Sequence, residues 1–118
     1  MTEKNWKPIE KLEGRYYLQG LYDDFEGFRL LLKSEDTGEI LRITFDSVLS
    51  YRNTDEGDLL ETSISGGFFK NSESSYLDWF HSESLDRWKE KDVFHYAVNT
   101  PDDCVDIISS VVPKVEWL

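Results

Sequence analysis

At 118 residues, with 39% hydrophobic and 14% aromatic content, the chain can bury one core and is too short for two, so a single globular domain spanning 1–118 is expected. Acidic residues outnumber basic ones by 24 to 13, and a formal charge of −11 repels nucleic acid and anionic membranes while favouring encounter with a basic partner. One cysteine excludes an internal disulfide, and a polar N-terminus with no run near the ~20 apolar residues of a membrane helix predicts a cytoplasmic protein.

In chain order, Trp6, Ile9 and Leu12 recur every three residues, with Pro8 placed for a first helical turn, so a short helix or a pinned loop is expected over 1–13. Arg15 to Phe25 is aromatic-rich and interrupted by Gly20, which predicts a strand with a bulge. Asp23 to Gly27 then reads as a turn. From Phe28 to Phe45 the period is two: Phe28, Leu30 and Leu32, and beyond the turn Leu41, Ile43 and Phe45, alternate with the residues between them. Asp36-Thr37-Gly38-Glu39 closes this hairpin, with Gly38 free to take a positive φ. Three strands joined by short turns predict an antiparallel meander.

Asp46 to Asn53, carrying Val48, Leu49 and Tyr51, reads as a further strand or a helical turn; Thr54 to Asp58 reads as a charged turn, Leu59 to Ile64 as a short strand, and Gly66-Gly67 as a breaker. The period then changes. Ser74 is a good N-cap, and Tyr76, Leu77, Phe80 and Ser84 fall at helical spacing, with Trp79 and Leu85 at the margins of that stripe, so one principal helix is expected over Ser74–Leu85. Val93–Asn99 and Cys104–Ser109 read as strands joined at Thr100-Pro101-Asp102, and a last short strand includes Val115 and Trp117. The expected fold is α+β: mainly antiparallel sheet, built of meander and hairpins, with that one helix. Leu30, Leu32, Leu41, Ile43 and Phe45 are expected to pack against Leu77 and Phe80.

Candidates for chemistry are few. If the strands on either side of Thr100-Pro101-Asp102 pair, Cys104 lies opposite Val98 or Asn99, which leaves it about 10 Å along the ladder from His95 and too far for a thiol and its base. A catalytic histidine would need a pocket that brings His95 or His81 within about 3 Å of a carboxylate. The acidic clusters Asp55, Glu56, Asp58, Glu61 and Asp102, Asp103, Asp106 lack the ligand spacing of an EF-hand, and His81 has no second histidine at a zinc spacing. No glycine-rich nucleotide loop and no nucleophile elbow occurs, so no catalytic residue, cofactor or metal is expected. Four Trp and six Tyr among so many carboxylates suit a protein-binding face, with rigid aromatic anchors for affinity and acids that steer and pair with Arg or Lys. The candidate binding residues are Asp55, Glu56, Asp58 and Glu61 with Tyr51 beside them, and Asp23, Asp24 and Glu26 in the earlier turn.

Ser75-Tyr-Leu-Asp-Trp-Phe-His-Ser-Glu-Ser84, the stretch from Phe94 to Ser109, and Val48-Leu-Ser-Tyr-Arg-Asn-Thr-Asp-Glu-Gly57 resemble segments of small acidic bacterial immunity proteins of contact-dependent inhibition and related polymorphic toxin systems. The resemblance implies a cytoplasmic, non-enzymatic protein that binds a cognate toxin domain, often a basic nuclease, and covers its active site or a nearby surface. It assigns no residue roles, because the shared features are packing and turn patterns. The alternatives are a bacterial regulatory or adaptor domain with another protein partner and, third, a small hydrolase or ligand-binding domain.

Overall fold

The computed structural model describes the backbone of residues 7–10, 15–55, 67–88 and 91–118, and side chains for all of these except 7–10 and 55. Its strands are β1 (Lys7–Glu10), β2 (Tyr16–Asp24), β3 (Gly27–Ser34), β4 (Ile40–Phe45), β5 (Ser50–Asp55), β6 (Gly67–Asn71), β7 (Phe94–Asn99), β8 (Asp103–Ser109) and β9 (Lys114–Trp117), with helix α1 (Ser75–Glu83) between β6 and β7. All strand pairs are antiparallel and form two sheets, β2-β3-β4-β9 and β1-β6-β7-β8-β5. The α+β reading, mainly antiparallel sheet with one helix, therefore holds.

The meander forms as its period-2 pattern requires. Phe28 faces Phe45, Leu30 faces Ile43 and Leu32 faces Leu41 across β3 and β4, and all six are buried. Gly38 turns the hairpin at φ +76°, a region where a side chain is strained. The predicted bulge in β2 is present: the register with β3 shifts between Leu18 and Gly20, and a Cβ added to Gly20 would stand 2.5 Å from the Tyr22 ring. β9 joins the far edge of this sheet, setting Val115 against Ile43.

The main core lies between the two sheets. Leu30, Leu32, Leu41, Ile43 and Phe45 from one meet Phe68, Tyr96, Val98, Val105 and Ile107 from the other. Phe45 crosses the interface, with its ring 5.3 Å from that of Tyr96 and 6.4 Å from that of Phe68, both edge-on. A second, smaller cluster holds Tyr76, Leu77 and Phe80 of α1 with Val93 and Ile108. Because successive side chains of a strand point to opposite faces, Ile107 enters the first cluster and Ile108 the second. The helix thus covers the outer face of the five-stranded sheet, and the expected packing of Leu77 and Phe80 on the central hairpin does not occur. The hairpin's apolar face is already filled by the other sheet.

Other differences have local causes. Lys7–Glu10 is a strand on β6, where a helix or loop was expected; Pro8, which has no amide proton to donate, sits at the sheet's edge in that strand. Trp6 and Leu12 lie outside the described residues. β6 had no counterpart in the sequence reading: as an interior strand it places Phe68 and Phe69 in succession, without the alternation that marks a half-exposed strand. Thr54 and Asp55 belong to β5 rather than to a turn, and Val48 and Leu49 precede that strand. The strand expected over Leu59–Ile64 falls outside the described residues. The helix keeps its predicted start: the Ser74 hydroxyl accepts the Leu77 amide at 3.1 Å and Tyr76, Leu77 and Phe80 are buried, while Leu85 beyond its end is exposed at φ +53°. Among the described residues, no helix is long and apolar enough to cross a membrane.

Candidate functional site

The predicted binding residues separate into three groups. Asp24 and Glu26 converge on Arg29, at 2.9 and 3.4 Å, and Arg29 lies 4.7 Å over the Tyr22 ring. The Arg29 guanidinium, and then the Glu26 backbone amide, hold the Asp24 carboxyl below its ordinary value. These two acids are engaged within their own hairpin. Asp23 is not part of that cluster: it reaches a hollow of about 360 Å³ lined by Val48, Leu49, Ser50 and Tyr51. The structure therefore brings together Asp23 and Tyr51, which lie on different sheets. Asp55 ends β5 opposite Asp103, and Glu56, Asp58 and Glu61 lie outside the described residues.

Tyr51 is 40% exposed, and its ring lies 4.8 Å from that of the buried Phe28, so it packs on the edge of the inter-sheet core while remaining open to solvent. Its neighbours Ser50 and Arg52 point to the opposite face of β5, toward the helix. There a second hollow, about 230 Å³, is lined by Ser50, Tyr51, Arg52, Tyr76 and Trp79. The Ser50 and Tyr76 hydroxyls meet at 2.6 Å, Tyr76 and Trp79 stack at 5.6 Å with 16° between their planes, and the Arg52 guanidinium lies 4.2 Å from the Tyr76 ring centre. Burial pushes the Tyr76 phenol up from its ordinary value.

Behind this hollow runs a polar chain. Arg52 Nε donates to Asp106 Oδ2 at 3.0 Å, His95 Nε2 donates to Asp106 Oδ1 at 2.7 Å, and His95 Nδ1 meets the Ser74 hydroxyl at 2.8 Å. With Nε2–H donating to the carboxylate, Nδ1 shares a hydrogen bond with the Ser74 hydroxyl, whose oxygen also accepts the helix's Leu77 amide. The chain thus joins the helix cap to a surface arginine through a buried histidine.

His95 satisfies the distance expected of a catalytic histidine, but not the setting. Its side chain is 3% exposed and lines neither hollow. A Ser-His-Asp hydrolase sets the carboxylate on Nδ1 and the nucleophile on Nε2; here the two are exchanged, and the serine oxygen is buried as a helix cap. Cys104 pairs with Asn99, at the ladder position expected, four residues from His95. His81 packs its ring 5.9 Å from that of Phe80, and its Nδ1 is buried with no hydrogen-bond partner among the described residues. Among the described residues, no group of three or more His, Cys, Asp or Glu side chains is arranged to hold a metal ion.

Sequence reasoning missed this chain although its signal was present. Once Cys104 stands opposite Asn99, the same register sets Asp106 opposite Ala97 and His95 opposite Ile108, so His95 and Asp106 are diagonal neighbours on one face. Arg52 faces Asp106 directly across β5 and β8, a pairing no local pattern announces. No family model matches the chain, and neither a curated protein nor a solved structure was found similar to it.

Proposed function

We propose that this protein is a non-enzymatic inhibitor, an immunity-type protein that binds a basic toxin domain in the cytoplasm and blocks it by occupying its surface. One observation carries the reading: a partly exposed aromatic side chain packed on a core phenylalanine, Tyr51, lines one hollow between the sheets together with Asp23, whose carboxylate pairs with no described residue, on a chain of formal charge −11. Half-buried tyrosines lose little entropy on binding, and acids around them steer and pair with Arg or Lys. Asp55, Glu56, Asp58 and Glu61 extend the acidic run from the end of β5, the strand that carries Tyr51. The commitment of His95 to Ser74 and Asp106, away from both hollows, favours a binding role over a hydrolytic one.

The test begins with co-purification of the chain with the protein encoded immediately upstream, followed by binding kinetics at two salt concentrations. Asp23→Lys, Tyr51→Ala and the joint change of Asp55, Glu56, Asp58 and Glu61 to Lys are compared with Glu35→Lys as a control. The charge reversals are expected to slow association most at low salt, each rim pair being worth under about 1 kcal/mol, and Tyr51→Ala to speed dissociation by about tenfold or more. Unchanged kinetics in all three folded variants overturn the surface. A partner whose activity is unaffected by binding points instead to the adaptor reading.

A further inference from the structure

Arg52 is held in place but leaves its recognition groups unused. Asp106 holds its Nε at 3.0 Å and the Tyr76 ring lies 4.2 Å from its guanidinium carbon, while its two terminal amino nitrogens make no hydrogen bond to any described residue. The hold is built from inside the protein. Asp106 is 13% exposed, its second oxygen accepts from His95, and His95 is braced by the Ser74 hydroxyl at the start of α1. A half-exposed arginine paired with one carboxylate adds little to stability, and it would not by itself require two buried polar residues behind that carboxylate. Such bracing does orient a guanidinium so that its outer fork faces a fixed direction.

Arg52 lines the 230 Å³ hollow, whose wall continues from Tyr76 to Trp79, stacked on it and half exposed. We propose that this hollow is a binding site for a small carboxylate with an aromatic ring close to it in the same molecule, its two oxygens accepting from the Arg52 amino groups and its ring lying against Trp79. Arginine and carboxylate match as fork to fork, and an aromatic wall beside the charge selects a flat apolar body. A singly charged anion suits the site better than a phosphate: Asp106 already offsets the arginine's charge, and the field of a chain with formal charge −11 opposes a second negative charge. The ligand is either a free aryl acid or the terminal carboxylate of a polypeptide ending in an aromatic residue. The site goes beyond the inhibitor reading and stands or falls without it, because a small probe tests it in the absence of any partner.

The experiment follows the Trp79 indole N–H by NMR while benzoate, its neutral isostere benzamide, N-acetylphenylalanine and inorganic phosphate are titrated into the full chain. Benzoate is expected to give a saturable shift with a Kd on the order of 1 mM, as suits so small a ligand, and benzamide and phosphate none. Arg52→Gln is expected to weaken benzoate by at least about tenfold, since it removes charge-assisted hydrogen bonds at an exposed position that the fold does not need. Tighter binding of N-acetylphenylalanine than of benzoate assigns the site to a chain terminus, and the reverse order assigns it to a free acid. Absence of a saturable benzoate shift, phosphate binding as well as benzoate, or unchanged benzoate binding in a folded Arg52→Gln variant overturns the proposal.

Discussion

The separation of the two apolar clusters can be tested by a double-mutant cycle between Ile43 and Leu77. Ile43 has no exposed surface and packs between the sheets; Leu77 is 3% exposed and packs under the helix, with Ile108. Ile43→Val deletes one buried methylene, worth ~0.8 kcal/mol in transfer and somewhat more with the small cavity it leaves, so about 1 kcal/mol is expected. Leu77→Ala deletes three carbons, or about 2.4 kcal/mol in transfer, and the cavity term brings it to roughly 3 to 4 kcal/mol. With the five-stranded sheet between them and no shared side-chain partner in either cluster, the two losses are expected to add within about 0.5 kcal/mol. The assay is urea unfolding of the wild type, both single variants and the double variant at constant m. A coupling energy above about 1 kcal/mol would mean that the helix touches the central hairpin after all, and the layered arrangement would be wrong.

Two further outcomes follow from the polar contacts. Ser74→Ala removes both the helix cap and the hydroxyl hydrogen-bonded to His95 Nδ1, and is expected to lower stability by roughly 1 to 3 kcal/mol while leaving partner inhibition intact; loss of inhibition at full stability would instead revive a hydrolytic serine. The Glu116 carboxyl is held below its ordinary value first by its hydrogen bond from Arg42, at 3.0 Å, so in an NMR titration Arg42→Ala is expected to move its midpoint up toward that of an ordinary glutamate. Because the folded value is the depressed one, this pair's contribution is present above the unfolded value and is lost as pH falls through the folded one. An unmoved midpoint in Arg42→Ala would show that the ion pair does not form in solution.

Much of this architecture is local information. Recurrence of Phe28, Leu30 and Leu32, and of Leu41, Ile43 and Phe45, at every second residue, with Gly38 at the turn between them, determined a hairpin and the face it buries, since a slip of one residue would expose those side chains. Ser74 followed by Tyr76, Leu77 and Phe80 determined where the helix begins and which side it buries, because capping and the 3.6-residue period act within one or two turns. The composition determined the sign of the molecule's long-range field. What covers each apolar face was decided only in three dimensions. Strands β6, β7 and β8 are interior to a sheet covered on both sides, so adjacent residues such as Phe68 and Phe69, or Ile107 and Ile108, carry no alternating signal, and nothing nearby says that the hairpin would meet a second sheet while the helix took the other side. The same is true of the site: Asp23 and Tyr51 are neighbours because two sheets stack, and Arg52 is aimed by a chain through Asp106, His95 and Ser74 whose members come from three strands and a helix cap. Hydrogen bonds between side chains distant in sequence follow from strand pairing and layer packing, which depend on the whole chain closing its core at once.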